Sequence, residues 1–251
     1  MSETVLITGS AIRLGKAIAL SFARKGYNIA LHYNSSQDQA NKTLEEIKNL
    51  GVKCKGFKFD LSKTRELEHH ITEIFNVFPE LTTLVNSASA YIQADIGNTE
   101  IDDYEKLFDI NLKAPYFLSK YFAQKCNKGN IINIIDNKIS FNQNSYAAYL
   151  LTKKSLAELT KLSALEFSPN IRVNGVAPGV ILPAGSRSQE YINWRINAIP
   201  LKIKGDEKNI TDAIFSLIEN NFITGQIITV DGGEGIVNTG LHAGAYDQSK
   251  I

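Results

Sequence analysis

Thr4 to Lys25 reads TVLITGSAIRLGKAIALSFARK. A short apolar, β-branched run enters a turn that carries Gly9, and a helix-period segment follows with Leu14, Ile18 and Phe22 on one stripe. A strand that passes through a glycine turn straight into a helix opens a βαβ unit. Gly9 permits a tight turn and a close approach of backbone to phosphate. The helix start offers unpaired N–H groups and the positive end of a dipole. Gly15 keeps the helix close to the strand. Arg13 stands between them, where a third glycine would fit, and can fork onto a phosphate; the plain alternative is a solvated arginine. A glycine turn alone is a weak signal, and its strand–turn–helix setting is what points to a nucleotide.

The same alternation runs outward from this stretch. Further strand-like runs are Tyr27–Tyr33, Lys53–Asp60, Thr82–Ala88, Asn130–Asp136, Ile171–Gly179 and Gln226–Gly233. Several are nearly continuous in apolar residues, as parallel strands covered on both faces are. Helix-period segments lie between them: Arg13–Lys25, Asp38–Asn49, Arg65–Phe78, Asp102–Cys126, Ser145–Phe167 and Asn209–Asn220. The expected fold is α/β, a single-domain Rossmann-type doubly wound parallel sheet with helices on both faces. No linker or repeat divides the 251 residues, so 1–251 is read as one domain. The longest interruption, Ile181–Lys208, holds the sole tryptophan, Trp194, and is expected to be a substrate-loop excursion or lid. The tail Gly240–Ile251 either closes a neighbouring subunit's pocket or is loose.

Composition narrows the function classes. Hydrophobic residues make up 43% and charged residues 21%, enough for a substantial core. A formal net charge of +1 gives no long-range pull toward nucleic acid or membrane, so neither is expected as a partner. Two cysteines, Cys54 and Cys126, without motif spacing suit a reducing cytoplasm. The N-terminus shows no secretory pattern and no run is long enough to span a membrane. His32, His69, His70 and His242 are scattered, so no metal site is expected.

The second strand ends in LHYNSS, Leu31–Ser36, without a carboxylate. An acidic residue there favours a free ribose hydroxyl, whereas Asn34, Ser35 and Ser36 can donate to a 2′-phosphate, so NADPH is favoured over NADH. Asp60, closing the third strand, suits either an adenine amino group or a turn.

A second stretch carries chemistry. Ile134–Lys154 reads IIDNKISFNQNSYAAYLLTKK, placing Asp136 at a strand end and Tyr149 and Lys153 four apart on a helix. Residues four apart share a helix face. A nearby ammonium favours phenolate, and at roughly 4 Å and an effective dielectric near 20 the Coulomb energy is about 4 kcal/mol before desolvation. Lys153 is therefore expected to draw the Tyr149 phenol toward neutral pH and make it a general acid. Alone, the pair is common on solvated helices.

Together, TGSAIRLG, LVNSAS (Leu84–Ser89), FDINLKAPYF (Phe108–Phe117), YLLTK (Tyr149–Lys153) and RVNGVAPG (Arg172–Gly179) resemble the short-chain dehydrogenase/reductase family over nearly the whole chain. The resemblance implies that Gly9, Arg13, Leu14 and Gly15 hold the cofactor's phosphates. It places His32, Tyr33, Asn34, Ser35 and Ser36 at the ribose, and Asp60 and Leu61 at the adenine. Asn86, Ser87, Ala88, Lys153, Pro178 and Gly179 follow toward the nicotinamide, and Asn111 matches the asparagine that supports a proton-relay water. Ser87 and Ser89 depart from the family's Asn-Asn-Ala-Gly motif. Most members also carry Ser where Asp136 stands and Gly where Arg13 stands. Both changes resemble the pteridine and dihydromonapterin reductases. By that likeness Arg13, Ser89, Tyr91, Asp136 and Tyr149 bind a pterin, Tyr91 stacks on it, and Asp136 and Tyr149 deliver protons. The implied activity is NADPH-dependent reduction of a dihydropterin or dihydrofolate by a homotetramer joined through the long helices. Asp136 fits such a ring, whose reduced bond is C=N and whose nitrogens need protons. The alternatives are a reductase of another carbonyl, such as 3-oxoacyl thioesters, and a non-catalytic NADP(H) sensor.

Overall fold

The computed structural model describes residues 2–182 and 188–237; the tail from Gly240 onward and Pro183–Arg187 of the excursion lie outside them. Seven strands form one parallel sheet: β1 (Thr4–Ile7), β2 (Asn28–Tyr33), β3 (Cys54–Lys58), β4 (Leu81–Asn86), β5 (Gly129–Ile134), β6 (Ile171–Pro178) and β7 (Ile227–Val230). Their spatial order is β3-β2-β1-β4-β5-β6-β7. All seven expected strands are present, each within three residues of its expected ends. The order reverses between β1 and β4, the point at which a crevice opens beyond the carboxyl ends of the strands.

Alternation within each strand sends side chains to two separate cores. Val5 and Ile7, with Ile29 and Leu31, pack on α1 (Arg13–Arg24), α2 (Gln37–Lys48) and α8 (Glu207–Glu219) through Phe22, Ile47 and Ile214. Leu6, Leu84 and Ile131 face the other way, onto α3 (Leu67–Val77), α5 (Ala114–Lys125) and α6 (Ala147–Phe167) through Ile71, Phe122 and Ala164. Each of the fully buried Val, Leu, Ile and Phe side chains among these contributes roughly 1.5–3 kcal/mol, so the sheet is held from both sides.

Two expectations about helices change. The segment Asp102–Cys126 is not one helix: α4 (Ile101–Phe108) passes through a π-turn, Asp109–Lys113, into α5. Pro115 has no N–H to give the Asn111 carbonyl four residues back, so an α-helical bond is missing there by sequence. The excursion contains a regular element, α7 (Gln189–Ala198), capped by the Ser188 side chain, which accepts from Tyr191 N.

Candidate active site

The strand ends open onto one cleft of about 570 Å³. The first turn forms one wall. Gly9 has φ +65°, and a Cβ there would lie 2.9 Å from Ala88 Cα; a Cβ on Gly15 would lie 2.3 Å from the Gly9 carbonyl oxygen. Neither position tolerates a side chain, and the bare backbone borders the cleft. The cap residue of α1, Ile12, makes no side-chain cap bond, and no acidic residue occupies the first turn. The free N–H groups and dipole there suit an anion. This cradle fits a dinucleotide pyrophosphate.

Other side chains fix the turn. Thr8 Oγ1 accepts from Ser87 N (2.9 Å) and Ala88 N (3.0 Å), tying β1 to β4. His32 is buried; its Nδ1 accepts from Gly9 N (3.0 Å) and its Nε2 lies 3.1 Å from the Phe59 carbonyl. That network needs the neutral ring, and burial pushes its pKa down to about 4. Arg13 adopts a left-handed backbone, φ +53°, and donates to the Leu182 carbonyl (2.7 Å), so it bridges the turn and the loop after β6. Leu14, Tyr33, Asn34, Ser35, Ser36, Asp60, Leu61, Pro178 and Gly179 all line the cleft. Asp60 also holds a turn, accepting from Ser62 N and Oγ at 2.9 and 2.8 Å.

At the other end, Tyr149 donates to Asp136 Oδ2 (2.6 Å), whose Oδ1 accepts from Lys138 N (2.9 Å). Lys153 donates to the Ile134 carbonyl (3.0 Å), and its ammonium is 5.9 Å from the Tyr149 ring centroid. The expected depression of the phenol pKa is not found. Burial first, and then the Asp136 carboxylate, push Tyr149 well above 10, while a hydrogen bond with Ser89 works in the opposite direction. The phenol is nearly dehydrated and shares its proton with a carboxylate, whereas Lys153 is turned toward a carbonyl. Burial in turn lowers Lys153 to about 8, with Asp136 opposing.

Asn86 and Asn111 do not line the cleft. Asn86 is buried and donates to Asn133 Oδ1 (2.8 Å), holding β4 to β5 from behind. Asn111 is buried at the π-turn; its Oδ1 accepts from Ala90 N (2.8 Å) and its Nδ2 donates to the Ala90 carbonyl (2.9 Å). Its side chain thus pins the loop that carries Ser89 and Tyr91 and does not itself reach the cleft. Both asparagines thus stand behind the wall of the cleft. Tyr91 is 42% exposed, stacks on Tyr146 (centroids 4.8 Å apart, 26°) and stands edge-on to Tyr149 (4.7 Å).

The structure also brings in residues that no motif singled out. Asn137, Lys138, Tyr191 and Arg195 line the substrate end. Arg195 is paired with buried Glu234 at 2.5 Å, and Glu234 accepts from Asn137 Nδ2 (2.9 Å). The only available signal for Asn137 and Lys138 was adjacency to Asp136.

A phosphate cradle facing a buried Tyr–Lys pair across a doubly wound sheet defines a nucleotide-dependent oxidoreductase. The chain belongs to the short-chain dehydrogenase/reductase family: a family model described as Enoyl-(Acyl carrier protein) reductase matches residues 9–234. The 3-oxoacyl-[acyl-carrier-protein] reductase FabG of Staphylococcus epidermidis is 32% identical over 241 residues, 93% of this chain and 99% of the relative. A 2-dehydro-3-deoxy-D-gluconate 5-dehydrogenase of Formosa agariphila is 29% identical, covering 92% of each chain. Among solved structures, FolM Alternative dihydrofolate reductase 1 from Brucella suis, in complex with NADP, superposes with a TM-score of 0.89 at 28% identity, covering 94% of this chain and 96% of that one. Its Brucella canis counterpart, also complexed with NADP, gives 0.88 at 28% identity.

Proposed function

We propose that this protein is an NADPH-dependent reductase of dihydropterins, of the dihydrobiopterin, dihydromonapterin or dihydrofolate type. The observation that carries the reading is the bond from Tyr149 to Asp136. A serine at that position could donate to a ketone oxygen; an ionised carboxylate can only accept. It disfavours the negative charge that develops on a carbonyl oxygen and favours a ring that brings N–H groups and takes up a proton on nitrogen. The bound cofactor supplies the hydride to the ring carbon. Tyr149 gives its proton to the nitrogen of the same C=N bond, and the Asp136 carboxylate, in contact with the phenol, then takes up a proton from solvent and passes it to the phenolate, which restores both groups. Lys153, charged below about pH 8, holds the strand end and the cofactor ribose. Tyr91, exposed beside Tyr149, provides a flat surface for the ring. Asn34, Ser35 and Ser36 take the 2′-phosphate, and the two solved NADP complexes support that preference.

The FabG relatives, at higher identity than the FolM structures, favour a second reading, reduction of 3-oxoacyl thioesters. Steady-state NADPH oxidation with dihydrobiopterin, dihydromonapterin, dihydrofolate and an acetoacetyl thioester separates the two. Turnover of at least one pterin or folate well above the thioester is the expected result, and the reverse order overturns the first reading. We further propose a cytoplasmic homotetramer, joined through the faces of α4, α5 and α6 that expose Ile101, Tyr116 and Leu165.

A further inference from the structure

Lys138 lies two residues past Asp136, at the start of the 3-10 turn Asn137–Ser140, and is 8% exposed. Its ammonium donates to the Tyr91 hydroxyl (3.3 Å) and lies 4.8 Å from the Tyr146 ring centroid and 5.7 Å from that of Tyr91. An ammonium carries three donors. Among the described residues Lys138 Nζ makes that single hydrogen bond, and no carboxylate is close enough for an ion pair. Arg195, by comparison, is paired with Glu234, whereas Lys153, like Lys138, makes one hydrogen bond, to a strand carbonyl. Asp136 and Glu234 favour the Lys138 charge at longer range, Arg195 opposes it, and burial is the largest influence, lowering its pKa. A buried charge with unfilled donors is costly unless a ligand supplies acceptors. Lys138 lines the cleft where a substrate would sit.

The chemistry of the ring identifies the acceptor, on the dihydropterin reading above. Reduction of the C=N bond places a proton on N5, and the lactam oxygen of an oxo-pterin lies peri to N5 on the same edge. Tyr91 spans the two protein groups: its ring meets Tyr149 and its hydroxyl meets Lys138. A ring laid along Tyr91 with its N5 toward Tyr149 would carry the neighbouring oxygen toward Lys138. We propose that Lys138 is a specificity-determining residue that receives the lactam oxygen of an oxo-pterin and selects oxo over amino rings. A diaminopteridine offers N–H donors at that edge and, once protonated, a positive ring, both of which the ammonium repels.

The test compares wild type, Lys138→Met and Lys138→Arg in NADPH oxidation with dihydrobiopterin, and in inhibition by a diaminopteridine. Lys138→Met raises KM about tenfold to a hundredfold, the range for a lost charged hydrogen bond. It changes kcat less and tightens inhibition by the diaminopteridine, while Lys138→Arg restores the wild-type preference. Thermal melting and NADPH fluorescence check that the variants fold and load. Lys138→Gln carries the same comparison should the methionine variant not fold. Unchanged KM and an unchanged oxo-to-amino ratio in a folded, NADPH-binding variant of an active enzyme overturn the role of Lys138 alone. Wild-type protein that turns over no dihydropterin overturns the functional reading, and this assignment with it.

Discussion

Asp136 and Arg13 are the two side chains that set this site apart, and each makes a separate prediction. The Tyr149 phenol owes its raised pKa to burial first and to the Asp136 carboxylate second. Asp136→Asn keeps the shape and removes the charge, so the phenol pKa should fall in an ultraviolet difference titration, while pterin turnover drops about a hundredfold or more as proton delivery is lost. A phenol that titrates unchanged would mean that burial alone sets it. Arg13 holds φ +53°, a region that costs a side-chain-bearing residue roughly 1–2 kcal/mol. Arg13→Gly should therefore raise stability toward urea by about 1 kcal/mol because the backbone relaxes, and it should weaken NADPH binding if the guanidinium holds a cofactor phosphate. Equal or lower stability would show that the Leu182 contact outweighs the backbone cost. Asp136 and Arg13 were legible in the sequence as departures from a known pattern. The sign of the Tyr149 shift was not, because it is set by burial and then by contact with Asp136, and helical spacing shows neither how deeply a side chain is buried nor which distant group it meets. Lys138 and Arg195 stayed hidden for a related reason. Their approach to the cleft is made by a turn and by a helix distant in sequence, with no motif to link them.

Among the elements, the join of β2 to the glycine turn has a pH dependence that can be worked through. His32 accepts from Gly9 N only while its Nδ1 is unprotonated, and burial lowers its pKa from 6.5 to about 4. Between those values the unfolded chain binds a proton that the folded one does not. Stability from this residue is therefore complete above about pH 6.5 and declines as pH falls toward 4, by on the order of 3 kcal/mol. His32→Asn presents a carbonyl oxygen to the same N–H and does not titrate. Urea denaturation of wild type and variant at neutral pH and near pH 5 should show a smaller acid loss in the variant; equal losses would assign the acid sensitivity elsewhere. Strands β1, β2, β4, β5 and β6 were readable because burial on both faces leaves a nearly continuous apolar run, whereas the edge strands β3 and β7 are only partly buried. The break between α4 and α5 was present in the sequence as Pro115 but was masked by a continuous helical period. The excursion helix α7 escaped notice because its polar and apolar residues do not segregate to opposite sides, as in QEYINWRINA.

At the scale of the whole molecule, apolar surface remains outside the two cores. Helix α6 buries residues on more than one side, yet leaves Leu151, Leu162 and Leu165 at 52%, 62% and 79% exposed; α5 and α4 add Tyr116 at 52% and Ile101 at 75%. Isolated exposed leucines need no explanation, but several on helices that touch one another are what an interface would cover. The sequence could propose such a face only by likeness to a family, because periodicity does not distinguish a helix side that meets the sheet from one that meets another subunit. Assembly through this patch predicts that Leu162→Glu combined with Leu165→Glu lowers the mass measured by light scattering from a tetramer to a dimer or monomer. Both changes lie at exposed positions on α6, away from the cleft-lining Tyr149 and Lys153, so NADPH binding should persist in the smaller species. Placing charge on an apolar interface costs several kcal/mol per contact when the groups are desolvated, which is enough to dissociate a symmetric assembly that repeats each contact. A double variant that keeps the wild-type mass would show that α6 faces solvent in the assembled protein and that its exposed leucines belong to the monomer surface.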